Sequence, residues 1–520
     1  VDREISMDVN RRRFVQSLGA SAAAAVLHET NAAAAQAPTR RTSAQVSDRS
    51  ATVQRKNFVG IQVKPFAWVD EGIDQLLDTI QSKGNVNTVF VYTYDGDPNR
   101  TTKGGPIPLP DHGKYGPDRQ RSGGAFFDYD EKYFRKTTLK DFRSLDEPNF
   151  NVITAVAPKM KARGMDFFAW DYNNAFPSMM RNIPGLTDVA EIDVYGRRTT
   201  SACFNHPDYR AHLTGKIESY LSQYGSEVNG VMWGCERMGP IDNMIGGGWA
   251  TKGISCFCPF CTAKAQSRGI SAPRAKAGYV KLDQLFRSAE QKSRPVDGYF
   301  VTFMRTLFEY PEILAWNALW NDSYHEVRAE LYGTAKSIAP QKPFGFHVVQ
   351  NTTFSPFYSA VDDYAKLADY SDFLKIASYN NAGGPRMAHF VDRLCSTVFA
   401  DASPTDLQPL YYKMMGYKEA PLDQIRTNGL STEYVTHETR RAIECTGGRV
   451  QIYPGIDIDV PTAAGEKHTS PDDVRAATRA AFEAGANGVV LSREYHEMWL
   501  KNLTMAGETT RQIFNETEKT

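Results

Sequence analysis

Residues 228–261 of the chain are VNGVMWGCERMGPIDNMIGGGWATKGISCFCPFC, and this stretch decides the predicted fold. Its first residues, Val228–Trp233, are nearly all apolar, which is typical of an inner strand of a parallel sheet. Glu236 follows where the strand gives way to a Gly-rich loop, and the later segment Cys256–Cys261 holds three cysteines. A carboxylate at the C-terminal end of a barrel strand is typical of a catalytic group. Closely spaced cysteines are typical of a metal site.

Strand-like runs recur on both sides of this stretch, and helical or loop-rich segments separate them. The predicted strands are β1 58–66, β2 86–94, β3 165–173, β4 228–233, β5 343–351, β6 373–381, β7 449–459 and β8 487–495. Eight strands with helix-bearing connections predict an α/β fold of the (β/α)8 TIM barrel type. We expect a long insertion between β2 and β3, about residues 95–151, and a Cys-rich loop after β4.

An open doubly wound sheet is the alternative architecture for such a pattern. That architecture usually carries a Gly-rich phosphate-binding turn after its first strand. Here β1 ends in Lys64-Pro65-Phe66, with neither a GxGxxG nor a GxxxxGK[ST] motif. The sequence therefore favours the barrel and argues against nucleotide binding.

The N-terminal residues have the features of an export signal. Residues 10–16, NRRRFVQ, follow the twin-arginine pattern, and the weakly apolar run 18–27 is too short to span a membrane. We predict a twin-arginine signal peptide in residues 1–36, a polar linker in 37–55 and a single catalytic domain in 56–520. The expected location is the periplasm or the medium of a bacterium, and the expected export partner is the twin-arginine machinery.

Composition limits the classes of partner. Sixty basic and sixty acidic residues give a formal net charge of zero, which argues against nucleic-acid binding and against a polybasic membrane patch. No stretch outside the signal approaches 18 apolar residues, so stable membrane insertion is not expected. Aromatic residues make up 12% of the chain, which suits either a carbohydrate cleft or a large core. A homo-oligomer stays an open alternative, because no interface can be identified from the sequence.

Carboxylates recur at the predicted strand ends, with Trp and Tyr beside them. Glycoside hydrolysis needs two carboxyl groups that flank one bond: one protonates the leaving oxygen, and the other attacks or activates water. We predict Glu236 as the acid, with a pKa raised by Trp233 and a closed cleft, and Asp457 or Glu494 as the second carboxylate. The alternative for a strand-end Asp is that it caps the next helix. The predicted sugar-binding residues are Trp170, Asp171, Trp233, Arg237, His347, Tyr379, Asn380 and Arg493.

The run 197–210, RRTTSACFNHPDYR, resembles the stretch ahead of β4 in family 42 glycoside hydrolases, the bacterial β-galactosidases. In that family a cysteine before an Asn-x-Pro-x-Tyr-Arg run joins a later C-x-C-x-x-C to bind zinc. The acid/base glutamate lies between them, at the end of β4. Cys203, Glu236 and the segment Cys256–Cys261 keep this order. The resemblance implies a clan A type barrel with the acid/base on β4 and the nucleophile on β7.

Two positions differ from the family pattern. The family's acid/base glutamate follows an Asn, where this chain has Cys235. The family's nucleophile is a Glu, whereas β7 here offers Asp457 and Asp459.

The resemblance implies a structural zinc site, and no organic cofactor is expected. Four thiolates in tetrahedral geometry form a closed zinc site. A disulfide with a free thiol and an iron–sulfur cluster are the alternatives for these cysteines. The implied zinc ligands are Cys203, Cys256, Cys258 and Cys261.

Together these features predict an exported glycoside hydrolase with a carbohydrate substrate. A non-catalytic carbohydrate-binding barrel is one alternative. A metal-dependent sugar isomerase or hydrolase is another, although Gln62-Val63-Lys64 on β1 lacks the His-x-His pair that such enzymes usually carry.

Overall fold

The computed structural model describes residues 57–95, 101–102, 105–106, 110–113, 122–174, 177–246 and 253–519. The predicted signal peptide, residues 1–36, and the predicted linker, residues 37–55, lie outside this part of the chain. Among the described residues, no helix combines the length and the apolar character needed to cross a membrane.

Eight parallel strands form a closed barrel, which confirms the predicted (β/α)8 architecture. The strands are β1 Phe58–Val63, β2 Thr88–Asp95, β3 Asp166–Tyr172, β4 Gly230–Gly234, β5 Phe344–Val348, β6 Phe373–Ile376, β7 Gln451–Asp457 and β8 Gly488–Ser492. Each strand pairs with its neighbours in chain order, and β1 pairs with both β2 and β8. The strands are buried on both faces, which explains why they are nearly continuous apolar runs in the sequence.

Helices surround the barrel and connect its strands. They are α1 Pro65–Glu71, α2 Ile73–Gly84, α3 Val152–Ala162, α4 Pro177–Asn182, α5 Pro207–Glu218, α6 Pro240–Gly246, α7 Pro259–Ser267, α8 Ala272–Glu290, α9 Tyr299–Glu309, α10 Glu312–Ile338, α11 Asn351–Phe354, α12 Pro356–Ser359, α13 Tyr364–Leu367, α14 Asn380–Leu394, α15 Pro404–Met415, α16 Leu422–Asn428, α17 Thr432–Thr446, α18 Pro471–Glu483 and α19 Leu500–Thr517. Sequence signals mark the first residues of several helices. Ser470 and Asp473, for example, form a capping box around Pro471 at the start of α18.

The loops contain short strands and single helical turns. They are the strand pairs Thr101–Thr102 with Gly105–Pro106 and Ala190–Ile192 with Arg198–Ala202, the strand Gly124–Ala125, the 3-10 turns Glu131–Phe134, Ala368–Tyr370 and Tyr495–Glu497, and the π-helical turn Ser219–Gln223. The expected insertion between β2 and β3 is present. Its Gly124–Ala125 strand pairs antiparallel with the end of β2.

Aromatic side chains fill the lower half of the barrel interior. The Phe58 ring stacks on the Tyr453 ring with centroids 4.0 Å apart, and the Phe90 and Phe168 rings meet edge to face at 5.4 Å. Phe373 joins the same buried cluster. Such rings each bury about 150–250 Å². This packed layer closes the barrel below the C-terminal strand ends. The polar side chains above the layer line the open C-terminal end of the barrel, which we call the mouth.

Candidate active site at the barrel mouth

Strand alternation decides which strand-end side chains face the mouth. Met232 of β4 packs in the barrel interior, so Glu236, four residues later, continues the same face. The Trp233 side chain points the other way, out of the barrel interior. Its ring packs in the barrel wall, 6.0 Å from the Tyr324 ring and 6.2 Å from the Phe346 ring. Trp233 therefore does not line the mouth with Glu236, in contrast to the sequence-based expectation.

The Glu236 carboxylate is held by neighbouring side chains and remains accessible, with 28% of its side chain exposed. His347 Nε2 donates to Oε1 at 2.9 Å, and the Tyr172 hydroxyl donates to Oε2 at 3.4 Å. Asn174 supports this arrangement twice. Its Oδ1 accepts from the Glu236 backbone N–H at 2.8 Å, and its Nδ2 donates to the Tyr172 hydroxyl at 2.7 Å. β3, β4 and β5 thus orient one carboxylate together.

The charge state of Glu236 differs from the expected one. Burial raises the pKa of this carboxyl, but the hydrogen bond from His347 and the charges of Arg386 and Arg493 outweigh burial and lower the pKa to about 2. Burial and the charge of Lys375 lower the pKa of His347, so its imidazole is neutral and donates from Nε2. Glu236 is therefore ionised at neutral pH. A raised pKa, as a general acid needs, is not found.

Lys375 lies on β6 in register with His347 of β5 and points into the barrel. Burial lowers the pKa of its ammonium to about 7, against the opposing charge of Glu236. Its Nζ donates to the Tyr379 hydroxyl. Gly455 of β7 makes room for both side chains, because a Cβ there would lie 2.9 Å from Tyr379 Cε1 and 3.0 Å from Lys375 Cε.

A second polar group occupies the β1, β2 and β8 side of the mouth. Glu494 is buried there, and its Oε1 accepts from the Tyr92 hydroxyl at 3.0 Å and lies 3.4 Å from Lys64 Nζ. Lys64 Nζ also lies 3.3 Å from Asp95 Oδ2. His496 Nε2 lies 3.3 Å from Glu494 Oε2. Glu494 is thus paired with a buried cation.

Ligand atoms of Glu494, His496 and Glu497 lie within 4.8 Å of one another. Lys64 contacts the first carboxylate, and Arg493 donates from Nε to Glu497 Oε2 at 3.0 Å. Because cationic side chains already neutralise both carboxylates, this group is poorly suited to a metal ion.

Asp457 at the end of β7 has a different environment. It is fully buried, its Oδ2 accepts from the Ala382 backbone N–H at 2.9 Å, and its Oδ1 accepts from the Val460 N–H at 2.9 Å and from Thr469 Oγ1 at 3.0 Å. Ala382 lies in the first turn of α14, so Asp457 satisfies a free helix-start amide. Burial raises the pKa of Asp457, and these hydrogen bonds oppose the rise.

The structure separates the predicted sugar-binding residues into two groups. Trp170 points into the barrel, with its ring centroid 5.7 Å from that of His347, but it is buried below the mouth. The side chains of Tyr379 and Arg493 lie near Glu236. Asn380 is buried at the start of α14, where its Nδ2 donates to Leu430 O at 3.4 Å.

Asp171 and Arg237 face the barrel wall, as Trp233 does. Asp171 Oδ1 lies 2.8 Å from Lys216 Nζ, with both side chains fully buried. Arg237 lies 2.6 Å from Glu191 Oε1 and donates from NH1 to Ala202 O at 2.6 Å. The physical reason is the alternation of a strand: when Trp170 points inward, its neighbour Asp171 must point outward.

Several residues of the mouth are not among those predicted from the sequence. Lys375 left a clear signal, because it is a single charge inside the buried strand FLKI. Tyr172 could have been found by alternation, since it lies two residues after Trp170. Arg386 gave no such signal, because its place depends on how α14 packs.

The four cysteines predicted as ligands come together beside the hairpin ahead of α5. The Cys203 sulfur lies 3.5 Å from the sulfurs of Cys258 and Cys261, and all four sulfurs, Cys256 included, lie within 4.8 Å of one another. None forms a disulfide. A tetrahedral ion with Zn–S bonds of about 2.3 Å needs sulfurs about 3.8 Å apart. The set therefore fits a single tetrahedral metal ion.

Polar neighbours support thiolates at this site. Asn205 donates from its backbone N–H to the Cys203 sulfur at 3.3 Å and from Nδ2 to the Cys261 sulfur at 3.3 Å. The site also touches the loop that carries Glu236, because the Arg237 guanidinium binds Ala202 O, next to Cys203.

No family model matches the chain, and no curated protein matches it by sequence. Among solved structures it is similar to the β-galactosidase of the psychrophilic Marinomonas ef1, with a TM-score of 0.51 and 12% identity over 89% of this chain and 60% of that one. A second similar structure is the β-galactosidase of the haloarchaeon Halorubrum lacusprofundi, with a TM-score of 0.49 and 14% identity over 88% of this chain and 58% of that one. A third is α-L-fucosidase isoenzyme 2 of Paenibacillus thiaminolyticus, with a TM-score of 0.48 and 10% identity over 89% of this chain and 50% of that one. The first of these supports the barrel fold. The chain spans 50–60% of the length of these proteins.

Proposed function

We propose that the protein is a glycoside hydrolase and that Glu236 is a catalytic carboxylate. The observation that carries this proposal is the accessible Glu236 carboxylate at the C-terminal end of β4, oriented by His347 and Tyr172. In (β/α)8 enzymes the reacting groups lie at this face of the barrel.

The ionised state of Glu236 favours one of the two carboxylate roles in this chemistry. A carboxylate near the anomeric carbon stabilises the positive charge of an oxocarbenium-like transition state, and it attacks that carbon or activates water. With its pKa held at about 2, Glu236 is a carboxylate rather than a proton donor at neutral pH. We therefore assign it as the nucleophile or base, which replaces the acid role expected from the sequence.

We propose Glu494 as the second carboxylate. The charges of Glu236 and Glu494 both act on the Lys375 ammonium, in opposition to its burial, so both carboxylates lie near one group of the mouth. Asp457 is less suited, because both of its oxygens accept hydrogen bonds from backbone amides and hold α14 in place.

The experiment that tests this assignment compares two leaving groups. We expect Glu236→Gln to lose roughly 10³-fold in kcat on aryl glycosides, for nitrophenyl and for the better leaving group 2,4-dinitrophenyl alike. A proton donor is dispensable for dinitrophenolate, so an acid would be spared there. Full activity of the variant on dinitrophenyl glycosides would return Glu236 to the acid role. Full activity on both would remove it from catalysis.

We also propose that the cysteine site holds a structural zinc ion and that the protein is exported by the twin-arginine route to the periplasm or the medium. Cys203, Cys256, Cys258 and Cys261 would hold the ion, which supplies four bonds that fix the loop after β4. Elemental analysis should find about one zinc per chain and almost none in Cys256→Ser. Iron in place of zinc would contradict the zinc assignment.

A non-catalytic carbohydrate-binding barrel is the second candidate. The observation that favours it is that Asp457 and Glu494 are both buried and already bonded. This candidate predicts that calorimetric titration detects binding of a sugar, while no glycoside of that sugar is hydrolysed.

A further inference from the structure

Arg237, the residue after Glu236, connects the proposed catalytic carboxylate to the cysteine site. Its side chain is only 1% exposed and lies in the wall of the barrel. The guanidinium donates from Nη1 to Ala202 O at 2.6 Å, and Nη2 lies 2.6 Å from Glu191 Oε1. The guanidinium carbon also lies 4.4 Å from the centroid of the Phe204 ring. These three contacts hold the Arg237 side chain in one orientation.

Glu191 carries the connection further. Its second oxygen, Oε2, accepts a hydrogen bond from Ser255 Oγ at 2.7 Å. Ser255 immediately precedes Cys256, and Ala202 immediately precedes Cys203. The guanidinium and the Glu191 carboxylate together therefore reach both segments of the chain that supply the four cysteines.

The ion pair of Arg237 with Glu191 is fully buried, and Trp320 Nε1 donates to the same Glu191 oxygen at 2.9 Å. A buried ion pair adds little net stability compared with apolar side chains of the same volume, because both charges lose their hydration. It does fix geometry, since a guanidinium binds its acceptors in set directions. The pair is therefore better suited to fixing the positions of the segments that it joins than to stabilising the fold.

The backbone around Glu236 depends on side-chain contacts for its shape, because residues 235–239 form neither a helix nor a strand. On the β4 side, the Tyr324 hydroxyl donates to the carbonyl that precedes Glu236 at 2.6 Å. On the α6 side, the guanidinium of Arg237 makes the short contacts, while the Tyr358 hydroxyl lies 3.4 Å from the Arg237 carbonyl. A shift of the Arg237 side chain would therefore change the direction of the Glu236 carboxylate.

We propose that Arg237 and Glu191 are positioning residues that hold the Glu236 carboxylate in place and make its position depend on the cysteine site. This inference rests on the proposed function of Glu236 and adds a form of regulation, in which metal loss at the cysteines displaces the carboxylate. Both positioning side chains are buried in the barrel wall, so they act on Glu236 through the backbone. A misplacement of about 1 Å at a reacting group can lower a rate about 10²-fold.

A variant that removes both charges together tests the connection. Arg237→Met with Glu191→Gln replaces the ion pair by neutral side chains and leaves no unpaired buried charge, so we expect the full-length protein to fold and to keep its metal. Hydrogen–deuterium exchange with mass spectrometry measures the peptide that contains Glu236. Its amides should exchange about tenfold faster in the zinc-loaded double variant than in the zinc-loaded original protein, because the Glu236 N–H is no longer held at its acceptor. Unchanged exchange would overturn the inference.

A conservative variant gives a second measurement that does not depend on the folding of the double variant. Arg237→Lys keeps a positive charge beside Glu191 but replaces the planar guanidinium, which also binds Ala202 O, by a single ammonium. The peptide that contains Glu236 should exchange about threefold faster in this variant than in the original protein. Equal rates in the two proteins would contradict the role of the guanidinium.

Zinc removal tests the dependence on the cysteine site. A chelator should speed the exchange of the same peptide about tenfold in the original protein, but less than twofold in the double variant, where the connection is already broken. Arg441→Met with Glu438→Gln removes another ion pair, on α17, and should respond to the chelator as the original protein does. Equal acceleration in the original protein and the Arg237–Glu191 double variant would overturn the inference.

Kinetics separate positioning from a merely structural role. In the Arg237–Glu191 double variant, kcat should fall about tenfold with KM nearly unchanged. The acid limb of kcat/KM should move to higher pH, because a displaced Glu236 stays buried but loses the hydrogen bond from His347 that lowers its pKa.

The outcome is separable from that of the proposed function. Faster exchange in the variants, with no hydrolysis of any glycoside by the original protein, would overturn the hydrolase and leave the positioning role standing. Hydrolysis by the original protein, with unchanged exchange and kinetics in the variants, would do the reverse.

Discussion

The ends of β4 and β7 each carry a carboxylate, yet the two groups have opposite environments. Glu236 after β4 is 28% exposed and accepts hydrogen bonds from the side chains of His347 and Tyr172. Asp457 on β7 is fully buried and accepts from the backbone amides of Ala382 and Val460. A strand-end position therefore does not make a carboxylate reactive. What distinguishes the two is whether an oxygen lone pair can reach a substrate.

The β7 end contributes to the site indirectly, through a helix. Asp457 fixes the first turn of α14, and the same helix carries Arg386. Asp457 thus shapes the mouth through a helix, whereas Glu236 faces the substrate space itself.

The largest expected contrast between the two ends is in turnover. Glu236→Gln should lower kcat roughly 10³-fold, and it should also lower the unfolding midpoint, because a carboxyl whose pKa is about 2 in the folded protein stabilises that state when ionised. Glu508→Gln on the exposed face of α19 is the matched control and should behave as the original protein. Steady-state kinetics with thermal unfolding measure both quantities. An unchanged kcat would remove Glu236 from catalysis.

Stability should depend strongly on Asp457. Asp457→Ala should lower the free energy of unfolding by about 3 kcal/mol, because it leaves two buried amides without their acceptor. Denaturant unfolding followed by tryptophan fluorescence measures this change.

The kcat of the Asp457→Ala protein that stays folded distinguishes a structural role of Asp457 from a catalytic one. We expect it to stay within about tenfold of the original rate. A loss as large as that of Glu236→Gln, with stability unchanged, would instead make Asp457 a catalytic group.

A smaller effect should follow from removing the donor that holds Glu236. His347→Ala should raise the pKa of Glu236 from about 2 towards the ordinary value, because the carboxylate loses its hydrogen bond. If the ionised carboxylate is required, activity is lost as the pH falls through this pKa. The acid limb of kcat/KM should therefore move to higher pH in the variant, with about a tenfold loss at the plateau. His437→Ala on α17 serves as the control, and an unmoved acid limb would contradict the assigned role.

Much of the fold was predictable, because a barrel strand buried on both faces is a continuous apolar run. The site was predictable only in part. Glu236 lay at a recognisable strand end. Asp171 and Trp233 were predicted to line the mouth together with residues that point inward, although adjacent residues of a strand face opposite sides. The environment of Asp457 depends on the amide of Ala382, 75 residues away in sequence, so no local pattern reveals it.

The smallest expected effect concerns the longer hydrogen bond of Glu236. The Tyr172 hydroxyl lies 3.4 Å from Oε2, against 2.9 Å for His347 Nε2 at Oε1. Tyr172→Phe keeps the ring that packs 5.6 Å from Trp170 and removes only the donor, so kcat/KM should fall about threefold. Paired kinetics of Tyr172→Phe and His347→Ala would rank the two donors. A larger loss for Tyr172→Phe would mean that the hydroxyl, rather than the imidazole, sets the charge and direction of the carboxylate, and that the β4 end is organised from β3 instead of β5.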